Sequence, residues 1–424
     1  MNKELYFKMN NERYTEKIFY FILTLAVLSD ILRIPGTTYT FFRLSIPIAV
    51  LIIALYPKWF RRLIIGGMVF VFINSIFNVI FYRVYRTDLV FDFSAYIKYT
   101  ILYFSIFLIV VLISIIKEKE GNRFEKKFGD WLCFMGMLLG IILFLSDIFP
   151  FFFGNLPIDN PNNYGCYIAA ILPIYLLRLQ ERKNIVFLLM IVFFFLLLYI
   201  NDCKASLFGC LFQIVLLFCV NTKSTKGSFI IRRLTVPMLA LFIGVGVILL
   251  NPTINGYSLQ GIIMEPISRI LTDNPYPTYT ASVSFRTNTT LFALKQIWEM
   301  KGIGFGAGNL GIALKAEFPD LNPEYVQALN GSSLNLHNAW LEFMVDWGFL
   351  GIILLVFPLL YAIKLYLGKN VLRAIEKLSI IFIFSFPIWV IGPSNVYTMY
   401  FLFCIILYIF INIRNLDKDR INYI

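Results

Sequence analysis

A succession of apolar runs, each near the length of a membrane crossing and set off by short basic segments, limits this chain's fold more than any other feature. A helix needs roughly 20 mostly apolar residues to cross the core of a bilayer. Twelve such runs are read, near residues 18–34, 43–57, 63–82, 96–116, 131–150, 162–178, 184–201, 203–221, 234–251, 338–367, 376–392 and 395–413. Hydrophobic residues make up 59% of the chain and charged ones 15%, far from the usage of a soluble domain. The expectation is an all-α polytopic membrane protein of about twelve transmembrane helices. Its N-terminus is polar and charged through Lys17 and then turns apolar without a small-residue cleavage site, which reads as an uncleaved first span.

The net charge of +12 could suggest a nucleic-acid partner. The basic residues lie between the apolar runs, so no nucleic acid is expected and the charge reads as topology. With the N-terminus inside, 26 of the 37 Lys and Arg fall in inside segments, and every inside segment is basic. Both termini are then cytoplasmic. Two exceptions stand on the outside: the long polar segment 251–334, with five basic residues, and Lys204, alone at the mouth of the eighth run. Charges against the bias are candidates for binding. Equally, a long loop crosses regardless of charge, and a lysine at a span mouth can snorkel. The chain divides into nine spans over 1–250, an extracytoplasmic loop over 251–337, and three spans with a cytoplasmic tail over 338–424. Six cysteines without C-x-x-C spacing and one histidine make a zinc or iron–sulfur site unexpected, and no metal or cofactor is assigned.

Within the loop, NPTINGYSLQG and DNPYPTYT read as turns. From Thr287 to Met300, Leu291, Phe292, Leu294, Ile297 and Trp298 are spaced as one face of a helix lying on the membrane or on the bundle. KGIGFGAGN follows, a glycine-rich turn with neither the G-K-[ST] close nor the preceding strand of a phosphate loop. No internal repeat is seen. The loop ends in LHNAWLEFMVDWGFLG, Leu336 to Gly351, which holds the only histidine, His337. Asn335 can cap the helix that starts here, with His337 in its first turn. The partial positive charge of a helix N-terminus favours a neutral imidazole, which can accept a proton. The plainer alternative is an interfacial histidine that only hydrogen-bonds the loop.

Three stretches line up on the outer side: DNPNNYGCYIAAILP from Asp159, NDCKASLFG from Asn201, and SFRTNTTLFALKQIWEMKGIGFGAGN with the LHNAWLE entry. In this order, over about residues 155 to 355, the chain resembles the bacterial O-antigen ligase and Wzy-type polysaccharide polymerase family. LHNAWLE and GFGAGN look most like its Gram-positive branch of teichuronic acid and capsule polymerases. The resemblance assigns roles residue by residue. The histidine before Asn matches His337 and Asn338, and the loop arginine matches Arg286. The Asn-Pro-Asn turn matches Asn160, Pro161 and Asn162. The acidic positions match Glu342 and Asp346, an i, i+4 pair. The second arginine of the family is replaced here by Lys204, which keeps the charge and loses the forked donor.

The resemblance implies a glycosyltransferase-C-like helical bundle with one large extracytoplasmic loop. It implies a metal-independent glycosyltransferase in the bacterial cytoplasmic membrane, with its active site on the outer face. Donor and acceptor would be undecaprenyl diphosphate-linked glycans, and a flippase and a chain-length regulator would be partners alongside the bilayer. His337 would be the catalytic base, Arg286 and Lys204 would hold the diphosphate, and Asn338, Glu342, Asp346, Asn160 and Asn162 would support them. Polymerisation of repeat units into a surface polysaccharide is the first reading. Ligase-type transfer of a finished glycan is the second. A polysaccharide-lipid transporter or flippase is a third, and the absence of a repeat counts against it; a sensor is a fourth. The topology gives a test. A cysteine at Ser282, in a background without accessible native cysteines, is expected to react with an impermeant thiol reagent in intact cells. Labelling only after lysis would reverse the orientation.

Overall fold

Apolar segments without water to solvate their backbones must pair N–H with C=O internally, and a single segment does so as a helix. A computed structural model describes residues 3–29, 32, 40–148, 161–201, 203–221, 253–254, 257–258, 281–317, 339–368, 372–389 and 400–421. These are helical apart from turns and one two-residue antiparallel hairpin, Thr253–Ile254 with Tyr257–Ser258. The hairpin falls in NPTINGYSLQG, one of the stretches read as a turn.

The helices are α1 (Lys3–Val27), α2 (Phe41–Ala54), α3 (Pro57–Ile80), α4 (Phe93–Glu120), α5 (Phe124–Ile148), α6 (Pro161–Arg182), α7 (Ile185–Ile200) and α8 (Lys204–Asn221). Then come α9 (Ala281–Glu299), α10 (Leu310–Glu317), α11 (Ala339–Gly368), α12 (Ala374–Trp389) and α13 (Tyr400–Ile421). A helix coincides with each expected apolar run except 234–251, which lies outside the described residues. Boundaries follow local chemistry. Thr40 caps α2 through the Arg43 N–H, Asp92 caps α4 through Ala95, and Asn184 caps α7 through Val186.

Among the described residues, three helical stretches are long and apolar enough to cross a membrane: Pro57–Tyr85, Phe93–Ser146 and Leu341–Leu367. The second folds back on itself at Gly121, where φ is +55°, into α4 and α5. Phe41–Ala54, Ile185–Ile200, Ala205–Val220 and Tyr400–Ile413 are apolar but shorter. At 1.5 Å per residue, 14-residue α2 reaches about 21 Å, short of a core about 30 Å thick.

The helix ends sort into two sets. At one end the α4–α5 turn meets α1, the start of α3, the tail of α6 and the tail of α13. Its contacts are Lys127–Glu16, Lys58–Glu118, Arg182–Asp130 and Tyr408 to the Glu125 carbonyl. The other end gathers the starts of α6 and α8. There Gly165 leaves room for Ser206 and Cys203, and Gly209 lies under Trp389 at the end of α12. Small residues at such crossings let helix backbones approach closely, which is what packs helices in lipid.

Onto that second end folds the segment carrying α9 and α10. It brings its own small core: Phe292, Ala293, Met300, Phe305, Leu310 and Leu314 pack against Phe81 and Tyr82 below α3 and Leu341 and Val345 of α11. The apolar residues expected on one face of α9 divide between two sides of the helix. Thr289, Phe292, Ala293 and Met300 are buried, whereas Leu294 is 42% and Trp298 86% exposed. At 100° per residue the inward stripe follows 289, 292/293 and 300, which leaves the 294/298 pair turned outward.

The anchor of this segment is a break in α11. Gly348 has φ +55° and ψ −135°, so the helix is interrupted there. The groups set free are taken up by the glycine-rich turn. Phe305 N–H donates to the Val345 carbonyl at 2.9 Å, Gly306 N–H to the Asp346 carbonyl at 3.1 Å, and Phe349 N–H to the Gly302 carbonyl at 2.7 Å. A Cβ on Gly348 would meet the Gly302 carbonyl, and one on Gly304 would meet the Asp346 carbonyl. Gly121 offers a control, since its φ is also +55° but a Cβ there would meet nothing within 4 Å. Gly121→Ala is expected to cost only the backbone strain of that region, about 1–3 kcal/mol. Gly348→Ala is expected to cost clearly more, because it also pushes the turn off the helix. Thermal unfolding of the two purified variants measures the difference, and equal losses would disprove the docking.

Candidate functional site

The described part of the site is the short helical segment of α11 ahead of the break. Glu342 and Asp346 stand one turn apart on it, 3% and 1% exposed. Charged groups held inside apolar helices are costly and usually functional. Trp347 fixes the segment from the other side. Its indole N–H donates to the Tyr103 hydroxyl at 2.8 Å, and Phe70 packs on both rings.

α3 holds the glycine-rich turn in register with this segment. Asn74, Asn78 and Tyr82 fall on one helical face at four-residue spacing and are all buried. Asn74 Oδ1 accepts from the Ala307 N–H at 2.8 Å. Asn309 Nδ2 donates to Asn78 Oδ1 at 2.8 Å and to the Phe305 carbonyl at 2.7 Å, and the Tyr82 hydroxyl donates to Asn309 Oδ1 at 2.9 Å. Each buried carboxamide here is unfavourable unless paired, so the network specifies one seating of the turn. Nothing in the hydropathy of the run singles these residues out. Two asparagines four apart inside an apolar stretch are the one local signal of them.

Beside the segment lies a cavity of about 380 Å³ lined by Phe70, Tyr103, Glu342, Trp347, Leu354 and Phe386, among others. Glu342 is its only charged lining residue among the described ones. A second cavity of about 470 Å³ shares Leu354, Leu355, Phe386 and Ile406 and continues down α11 toward Phe410. Together they form an apolar trough along a helix flank on which Ile353, Leu354 and Phe357 are exposed.

The remaining residues named from sequence are placed as follows. Lys204 begins α8 and Asn162 lies in the first turn of α6, and these two helix starts touch through Gly165, Cys203 and Ser206. Arg286 lies on α9, which packs along α11. The side chains of Lys204, Asn162 and Arg286 lie outside what is described, as do His337, Asn338 and Asn160 entirely. Ala339, the first residue of α11, follows His337 by two positions. Arg86, on the loop after α3, is already engaged: its guanidinium grips both Asp88 oxygens at 3.0 Å and holds that carboxyl below its usual range. No group of three or more His, Cys, Asp or Glu with metal-binding proximity occurs among the described residues.

Comparison with protein-family models, with curated proteins and with solved structures gave no match.

Proposed function

We propose that this chain polymerises undecaprenyl diphosphate-linked oligosaccharide repeat units into a cell-surface polysaccharide on the outer face of the bacterial cytoplasmic membrane. The observation that carries the reading is the interrupted α11. Its first segment sets Glu342 at the head of an apolar trough, directly after the stretch that bears His337 and alongside the helix that bears Arg286. A substrate that is sugar at one end and hydrocarbon at the other needs such a polar head beside an apolar groove.

In the proposed step an acceptor hydroxyl attacks the anomeric carbon of the donor. The bond from that carbon to the diphosphate oxygen breaks, and the diphosphate leaves with the electron pair. His337 takes the hydroxyl proton. Arg286 and Lys204 stabilise the charge that develops on the leaving group, Lys204 as a point charge where a forked donor would bind two oxygens. Asn338, Asn160 and Asn162 support the polar side of the site.

Ligase-type transfer to another acceptor would use the same residues. A transporter or flippase is the alternative with which a broken helix is also compatible, since discontinuous helices often form the binding sites of transporters. Turnover of a purified lipid-linked repeat unit, measured with EDTA present, separates these. Polymer is expected from the wild type, and translocation in proteoliposomes without any new glycosidic bond would favour the transporter. His337→Ala should lower the rate about 10²–10⁴-fold with normal insertion. Lys204→Arg should keep much of the activity, while Lys204→Ala and Arg286→Ala should lose it. Full activity in Lys204→Ala would remove that residue from the phosphate site.

A further inference from the structure

At the basic end of the bundle, away from the glycine-rich turn, a carboxyl pair is packed where two negative charges fit badly. Glu120 is the last residue of α4, and its side chain is 1% exposed. Its Oε1 accepts from the Tyr20 hydroxyl at 3.1 Å and lies 3.3 Å from Lys127 Nζ. The same ammonium donates to Glu16 Oε1 at 3.1 Å. Glu120 Oε2 is buried and has no partner among the described residues that can donate to it. The Glu16 and Glu120 carboxyls thus lie against one ammonium, at 3.1 and 3.3 Å. Two carboxylates both only accept, so no hydrogen bond joins them directly unless one carries a proton.

Among the described residues, Lys119 adds a longer-range attraction to Glu16, and the printed ion pairs of the two carboxyls are both with Lys127. On α4, the Lys119 ammonium sits over the rings of Phe19 and Tyr56, 5.9 and 5.1 Å from their centroids. Glu118 is taken by Lys58 and by the Trp59 indole N–H. Lys117 donates to the Gly121 carbonyl. On α1, Lys17 is exposed, and on the α4–α5 turn Arg123, Glu125 and Lys126 are exposed.

We propose that Glu16 and Glu120 are a proton-binding site, in which one shared proton latches α1 onto the α4–α5 turn. Lys127 balances the single negative charge that remains, and Tyr20 fixes the buried carboxyl. When the proton leaves, two carboxylates face one lysine in a half-dry pocket, and α1 loosens from the turn.

Burial, and then the neighbouring Glu16, push the Glu120 carboxyl up to about 7. Burial acts on Glu16 in the same sense, but the hydrogen bonds from Glu120 and Lys127 outweigh it and leave that carboxyl low. A carboxyl raised in the folded state adds stability that is fully present below its unfolded value near 4.5. That stability is lost as pH rises through the folded value near 7.

The test is an infrared titration of the purified full-length chain, following the carbonyl stretch of a protonated carboxylic acid. A band is expected that disappears with a midpoint near neutral pH and is missing in Glu120→Gln. Lys127 is 48% exposed, so Lys127→Gln should fold normally and move the midpoint upward. Glu16→Gln should move it down, because the like charge is gone and Lys127 is left to Glu120. Over the same pH range, amide hydrogen exchange of residues 14–27, corrected for its intrinsic pH dependence, should rise several-fold in the wild type and stay flat in Glu120→Gln. A band lost below pH about 5.5, as for ordinary carboxyls, would overturn the proposal. So would a difference between the wild-type and Glu120→Gln spectra with no neutral-pH component, or a midpoint unmoved in Lys127→Gln should Glu120→Gln fail to fold.

Discussion

Most of what is built at the polar end of this molecule depends on the seating of a glycine-rich turn on a broken helix. The break at Gly348 frees backbone groups of α11 inside a largely apolar bundle. Left unpaired, each would cost several kcal/mol in the absence of water. The turn supplies two N–H donors and one carbonyl in the register the break requires. It can do so because glycines at 304 and 348 let the two backbones touch, while Gly302 leaves room for the Phe349 ring. Irregular backbone at such a place is tolerated where protein covers it, and here α9 and α10 do the covering.

From that contact the geometry of the site follows. Asn74 and Asn78 on α3, with Tyr82 just past its end, grip the turn from below. The turn in turn holds the first segment of α11, which keeps Glu342 and Asp346 buried and aims one of them at the apolar trough. Sequence alone left open whether the loop folds back over the bundle. Its α9 lies along α11, so the stretch bearing Arg286 and the stretch following His337 belong to one packed unit.

The two ends of the bundle are unlike. One collects exposed cations and a handful of carboxylates paired with them. The other carries a docked polar turn, two buried acidic side chains and the start of α8 with its single lysine. Buried carboxyls occur at both, but in different company. Glu342 borders an apolar trough suited to a ligand, whereas Glu120 faces a second carboxyl and shares its lysine.

Much of the architecture was legible in the sequence because hydropathy is a local property. Runs such as 63–82 or 184–201 must be helical wherever they sit, and the pairing of Glu342 with Asp346 on one face needs only the helical repeat. The turn chemistry of NPTINGYSLQG and the helix expected from Thr287 to Met300 were equally local, though the helix begins earlier, at Ala281, and so takes in Arg286. What could not be read depends on partners far away in the chain. Leu294 and Trp298 were grouped with Phe292 on one apolar face lying on the membrane or the bundle, and the face packed on the bundle is Thr289, Phe292 and Ala293. Gly348 sits in a stretch whose apolar pattern runs on unbroken, and only a turn more than forty residues upstream makes the break tolerable. Asn74 and Asn78 sit in an apolar run, and the groups that pair with them, on Ala307 and Asn309, lie more than two hundred residues along the chain. The sequence by itself thus determined the helices and the candidate chemistry, through hydrophobicity and backbone self-pairing. Only the tertiary structure decided where a helix breaks, which face is buried and which carboxyl meets a cavity. Those outcomes are set by hydrogen bonds and packing between segments that no local pattern encodes.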